Sequence, residues 1–100
     1  MIEYRLISQP PVDLDVEGAF EWYENERPGL GVEFLAELRA TYFRLADGPL
    51  KYQELRGGIR RSLLRRFPYV VYFAIEADIV VVVAVLHASR DPAEWQRRRG

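Results

Sequence analysis

The chain has 100 residues, 49% of them apolar, which suits one packed core and leaves no room for a second domain. It contains no cysteine, which excludes thiol chemistry, zinc–thiolate sites and a disulfide framework, and a cytoplasmic location is expected. No segment reaches the ~20 apolar residues of a membrane span, and the N-terminus lacks a basic-then-apolar leader pattern, so no membrane partner is expected.

Ile2 to Ser8 alternates Ile2, Tyr4 and Leu6 against Glu3, Arg5 and Ile7, the period of a half-buried strand that Pro10 and Pro11 end. From Asp13 the acids Asp13, Asp15 and Glu17 favour a helix N-terminus, and Val16, Ala19, Phe20 and Tyr23 recur at helical spacing up to Arg27-Pro28-Gly29. A second helix is predicted from Leu30 or Gly31, with Phe34, Leu35, Leu38, Tyr42 and Leu45 on one stripe and Asp47-Gly48-Pro49 as its stop. The short link forces an antiparallel helical hairpin whose apolar face must be covered.

The rest of the chain supplies the cover. Tyr52 to Leu55 reads as a short edge strand, Gly57-Gly58 as a turn, and Ile59 to Arg66 as a strand interrupted at Phe67-Pro68. On that strand, alternation sends Arg60 and Arg66 to one face and Arg61 and Arg65 to the other unless a bulge intervenes. Tyr69 to Ile75 and Ile79 to Leu86 form a hairpin across Glu76-Ala77-Asp78, the second run being apolar enough for a central strand. Pro92 to Arg99 is either a last helical turn or a frayed tail. The order predicts a single α+β domain over residues 1–100: an N-terminal strand and a helical hairpin on a mostly antiparallel sheet of about four strands.

Charge divides along the chain. Residues 1–50 carry ten acids against four arginines, and residues 51–100 carry ten basic groups against five acids. Arginine supplies nine of those ten, and its planar fork suits carboxylate or phosphate. Arg60, Arg61, Arg65, Arg66 and Arg90 therefore form the candidate binding set, with His87 beside them. Two readings stand: the acidic helices pair with the basic sheet, or a subset of the arginines meets an external anion. His87, the sole histidine, is a candidate general base by its spacing to Arg90, although a lone histidine ending an apolar run is more often a hydrogen-bonded structural residue. Arg90-Asp91-Pro92 can form a corner in which Asp91 caps the next turn and Arg90 pairs with a helix carboxylate. Without a second histidine or a cysteine no metal site is expected, and no cofactor motif is present.

Arg60-Arg61-Ser62-Leu63-Leu64, then Phe67-Pro68-Tyr69-Val70-Val71-Tyr72, then Val82 to Pro92 with His87-Ala88-Ser89-Arg90-Asp91, resembles the RelE/ParE superfamily of bacterial toxins. Ala19-Phe20-Glu21-Trp22-Tyr23 and the Gly48-Pro49 stop are similar to features of ParE-like members. The resemblance implies a growth-inhibiting toxin neutralised by a cognate antitoxin. It also carries two activities: RelE-like members cut mRNA in the ribosome, whereas ParE-like members poison DNA gyrase. In the cutters, basic residues on the sheet and a late arginine and tyrosine act on the phosphodiester. Here Arg60 matches the first basic position, Ser62 falls on the second, Tyr69 stands at an arginine position, Arg90 matches the late arginine, and only Trp95 lies near the missing tyrosine. Serine and tryptophan in place of lysine and tyrosine remove proton-transfer capacity from this set, so the resemblance favours the ParE-like branch, a binder rather than an enzyme; the alternative is a ribosome-dependent endoribonuclease in which Arg60, Arg65 and Arg90 hold the phosphate and His87 or Tyr69 assists proton transfer.

Overall fold

The computed structural model describes residues 3–99. Its elements run β1 (Arg5–Ser8), α1 (Pro10–Glu26), α2 (Leu30–Asp47), β2 (Ile59–Leu63), β3 (Tyr69–Glu76), β4 (Ile79–His87) and α3 (Ala93–Arg99). The sheet order is β1-β4-β3-β2, so the apolar run of β4 does lie centrally. β1 joins β4 in parallel from Arg5↔Ile79 to Ser8↔Val82, and the other pairings are antiparallel, giving the expected α+β architecture on a mixed sheet.

α1 starts at Pro10 rather than Asp13, because a proline in the first turn lacks only an N–H that would have no intrahelical acceptor, and its fixed φ already suits a helix. Val12 and Ala19 are its buried positions, while Phe34, Leu38, Thr41 and Leu45 form the buried stripe of α2. The two helices approach closely at Gly31: a Cβ there would meet Phe20 O and Glu24 Cγ, each at 2.7 Å. The missing side chain also leaves the Gly31 N–H free to donate to Glu24 Oε1 at 2.8 Å. Gly29, at φ 90°, turns the chain between the helices in a conformation that other residues rarely adopt.

The hairpin covers one sheet face. Val71, Phe73, Val80, Val82 and Val85 meet Phe34, Leu38 and Leu45 there, and Tyr23, Phe34, Phe67 and Tyr69 form an aromatic cluster with ring centroids from 4.8 to 6.0 Å apart. Each such buried side chain contributes about 1.5–3 kcal/mol. The opposite face, with Ile59, Val70, Tyr72, Val83 and Leu86, is covered by α3, whose Trp95 stacks on Tyr72 at 5.3 Å.

Three expected boundaries change. The strand predicted from Ile2 starts at Arg5, Ile2 itself lying outside the described residues. Tyr52 to Leu55 is no strand: the segment follows a 3-10 turn at Pro49–Lys51 and makes a single bridge, Glu54↔Arg60. β2 stops at Leu63 instead of Arg66, because Phe67 turns inward to the aromatic cluster and Leu64 N–H donates to Tyr69 O at 2.9 Å, closing the turn. Arg65 and Arg66 thus leave the strand and its alternation. The β3–β4 turn at Ala77-Asp78 holds Ala77 at φ 55°. The C-terminal segment is helical from Ala93, with Asp91 Oδ1 accepting the Ala93 N–H at 2.9 Å, the cap expected of that corner.

Candidate binding site

Antiparallel pairing sets Tyr69, the first residue of β3, directly opposite His87, the last of β4. A register shift in β4 matters here: Phe73 pairs with Val82 and Tyr72 with Ala84, so Val83 is passed over. Val83 and Ala84 both pack on the α3 face, and the reversed alternation returns Val85 to the face that carries the helical hairpin, with His87 in phase with it. The Tyr69 and His87 rings meet edge to face at 5.3 Å. Together with Arg90 they line one end of a cleft of about 350 Å³ whose other walls include Leu14, Ala19, Trp22 and Val85. Leu14 (72% exposed) and Trp22 (61%) lie eight residues apart on α1, with Gly18 between them, so an apolar strip runs along the cleft mouth.

Electrostatics keep this end rich in donors. Burial raises the Tyr69 pKa, partly offset by the charge of Arg90, so its hydroxyl keeps its proton. Arg90 donates to Glu94 Oε1 at 3.0 Å, and this hydrogen bond holds Glu94 below the usual carboxylate range. Asp15 lines the cleft too, but it is already engaged: Arg98 Nη2 donates to Oδ1 at 2.8 Å and the Val85 N–H donates to Oδ2 at 3.0 Å. Arg98 Nη1 also donates to Asp15 Oδ2 at 2.5 Å and to Val83 O at 3.2 Å. Val83 and Val85 lie just past the last β1 pair, at Val82, so this ion pair takes the place of a strand at the open edge of β4.

The other candidate arginines are dispersed. Arg60 donates to Tyr52 O at 2.7 Å, to Leu50 O at 3.2 Å and to Glu54 at 3.3 Å, which ties the 50–54 segment to β2. It pairs with Phe73, four residues along β3 from Tyr69, roughly 13 Å at the ordinary strand rise. Arg61 faces the other way and holds Gln53 at 3.1 Å. Arg66 meets Glu37 at 3.2 Å and Glu33 at 3.4 Å and lies over the Phe67 ring. Arg65 makes no ion pair or side-chain hydrogen bond among the described residues. The acidic-half and basic-half pairing is thus real at Arg66 and Arg98, whereas the carboxylate that Arg60 meets, Glu54, belongs to its own half. The sequence reading missed Asp15 and Arg98 as partners; the signal available was an acid in the first helical turns and an arginine run at the end.

A second, apolar groove of about 370 Å³ runs between α1 and α2, lined by Val12, Val16, Phe20, Leu35, Leu38 and Tyr42. Among the described residues no cluster of three or more His, Cys, Asp or Glu side chains could hold a metal ion, and no helix is long and apolar enough to cross a membrane.

Comparison with known proteins accords with this geometry. The family described as "ParE toxin of type II toxin-antitoxin system, parDE" matches residues 6–92. Among curated protein sequences none matches this chain. A solved structure described as "Chromosomal ParDE TA system from P. aeruginosa" superposes with a TM-score of 0.76 at 12% identity, covering 85% of this chain and 96% of that one, a likeness of fold. A match over nearly the whole chain, on a strand, helical hairpin and sheet in the expected order, makes this protein a member of the ParE toxin family of type II toxin–antitoxin systems.

Proposed function

We propose that this toxin arrests growth by binding DNA gyrase and is neutralised in the cytoplasm by a cognate antitoxin. The observation that carries the reading is the dispersal of the residues a ribosome-dependent nuclease would need. Arg60 is held by Leu50 O, Tyr52 O and Glu54 and pairs with Phe73, roughly 13 Å along β3 from Tyr69, while His87 and Arg90 lie on the far side of β3. One exposed arginine beside a tyrosine and a histidine gives little charge stabilisation for a phosphodiester under attack. Binding surface, by contrast, is plentiful: the α1–α2 groove is apolar, and Leu14, Trp22 and Phe43 are all more than 60% exposed. An antitoxin with an amphipathic helix would bury its apolar face in that groove, and an extended acidic segment would reach Arg65 and Arg90.

Expression alone and with the antitoxin tests this. Growth arrest by the toxin alone, relieved when the antitoxin co-purifies with it, is expected. Normal growth of cells that accumulate the folded protein would overturn the reading.

A further inference from the structure

The donor end of the cleft is fixed by the backbone. His87 Nδ1 receives the Ser89 N–H at 3.1 Å and lies 2.8 Å from Ser89 Oγ. A backbone N–H can only donate, so Nδ1 is the acceptor and the neutral ring carries its proton on Nε2. No described residue accepts from Nε2 or from the Tyr69 hydroxyl. Arg90 reaches the same space with one amino group engaged by Glu94. The cleft's own carboxylate, Asp15, accepts three hydrogen bonds from Arg98 and Val85 and makes none to these donors. Three donors therefore converge beside a wall of Leu14, Ala19, Trp22 and Val85 with no acceptor of their own there.

We propose that this cleft binds a carboxylate attached to a bulky apolar group, presented by a protein partner as an acidic residue beside a large apolar side chain. The carboxylate meets Tyr69, His87 Nε2 and Arg90, and the apolar group lies against Leu14 and Trp22. A singly charged, planar acceptor suits one arginine already shared with Glu94. A nucleic-acid strand would need several free cations in succession, and Arg60, Arg66 and Arg98 are taken. The inference deepens the reading above and rests on its premise that the partner is a protein.

The probe is 4-phenylbutyrate, added to the ¹⁵N-labelled full-length protein, with its amide and uridine 5′-monophosphate as controls. His87 is the sole histidine, so its ring nitrogens report without ambiguity. The free protein should show the Nε2–H tautomer, and the carboxylate should shift the His87 ring and the Trp22 indole signals together. The amide, and the carboxylate added to Arg90→Gln, should each bind about tenfold more weakly, the loss expected for one hydrogen bond to a charged group. Arg61→Gln, outside the cleft, should leave binding unchanged. A ring protonated on Nδ1, equal binding of the amide, no response to the carboxylate, or tighter binding of the nucleotide at the same signals would each overturn the proposal. Loss of probe binding in a protein that still arrests growth would strike this cleft alone. Probe binding without growth arrest would strike the toxin reading alone.

Discussion

Removing Arg98 should destabilise the fold well beyond the usual effect of a surface arginine near a chain end. Asp15 is 8% exposed in its side chain and Arg98 21%, so the pair is largely withdrawn from solvent. The Asp15 hydrogen bond raises the Arg98 pKa above its ordinary value, in line with a firm pair. Breaking a buried pair by deleting one partner costs about 3–5 kcal/mol. Arg98→Ala should cost less, about 2–3 kcal/mol, because Asp15 keeps the Val85 N–H. For a domain of this size that is a fall in Tm of roughly 10–20 °C, small enough against a total stability of about 5–15 kcal/mol for the variant to remain folded. Urea unfolding of Arg98→Ala, Asp15→Asn and the double variant gives the coupling directly, and the double variant should lose at least about 1 kcal/mol less than the sum. A loss below about 0.5 kcal/mol for Arg98→Ala, or strict additivity, would refute the assignment of this pair as the closure of the β4 edge.

Gly31→Ala places a methyl group 2.7 Å from Phe20 O, a backbone atom that cannot step aside, so the helices must separate. Even after the better helix propensity of alanine, a loss of about 1–2 kcal/mol is expected, and an unchanged or higher urea midpoint would contradict the close approach. Alkaline stability provides another check. Burial, with Asp13 and Asp15 nearby, pushes the Tyr42 pKa up to about 12, whereas the unfolded chain loses this proton near 10. Stability should therefore be complete below pH 10 and fall by up to about 2–3 kcal/mol as pH rises toward 12. Burial also raises Tyr23, Tyr69 and Tyr72, which steepens the same limb. Tyr42→Phe should flatten it, and an alkaline limb of unchanged slope would show that the Tyr42 hydroxyl is not buried as described.

Element types were legible wherever periodicity was strong. Phe34, Leu38 and Leu45 marked the α2 stripe, and the unbroken run from Ile79 to Leu86 marked a central strand. Boundaries failed where tertiary contacts decide them: β2 ends at Leu63 because Phe67 is drawn into the cluster with Tyr23 and Phe34, which no local pattern encodes. The site was half readable. Tyr69, His87 and Arg90 could be singled out by position, but strict alternation could not foresee the bulge at Val83 that resets the phase of His87, nor the Ser89 N–H that fixes its ring. Alternation placed Arg60 and Arg61 on opposite faces, as the strand has them, but it could not foresee that the strand ends at Leu63 and that the turn gives Arg66 to Glu33 and Glu37. Ion pairs across more than 80 residues, such as Asp15–Arg98, leave no trace in local spacing.

The central claim, that this ParE-family toxin acts by binding and does not cleave message, is tested most directly by inducing the protein alone in bacteria. DNA breakage and mRNA integrity are then followed in the same cultures. Broken DNA with intact messages is the predicted result; cleaved messages with intact DNA would contradict it and return Tyr69, His87 and Arg90 to catalytic roles.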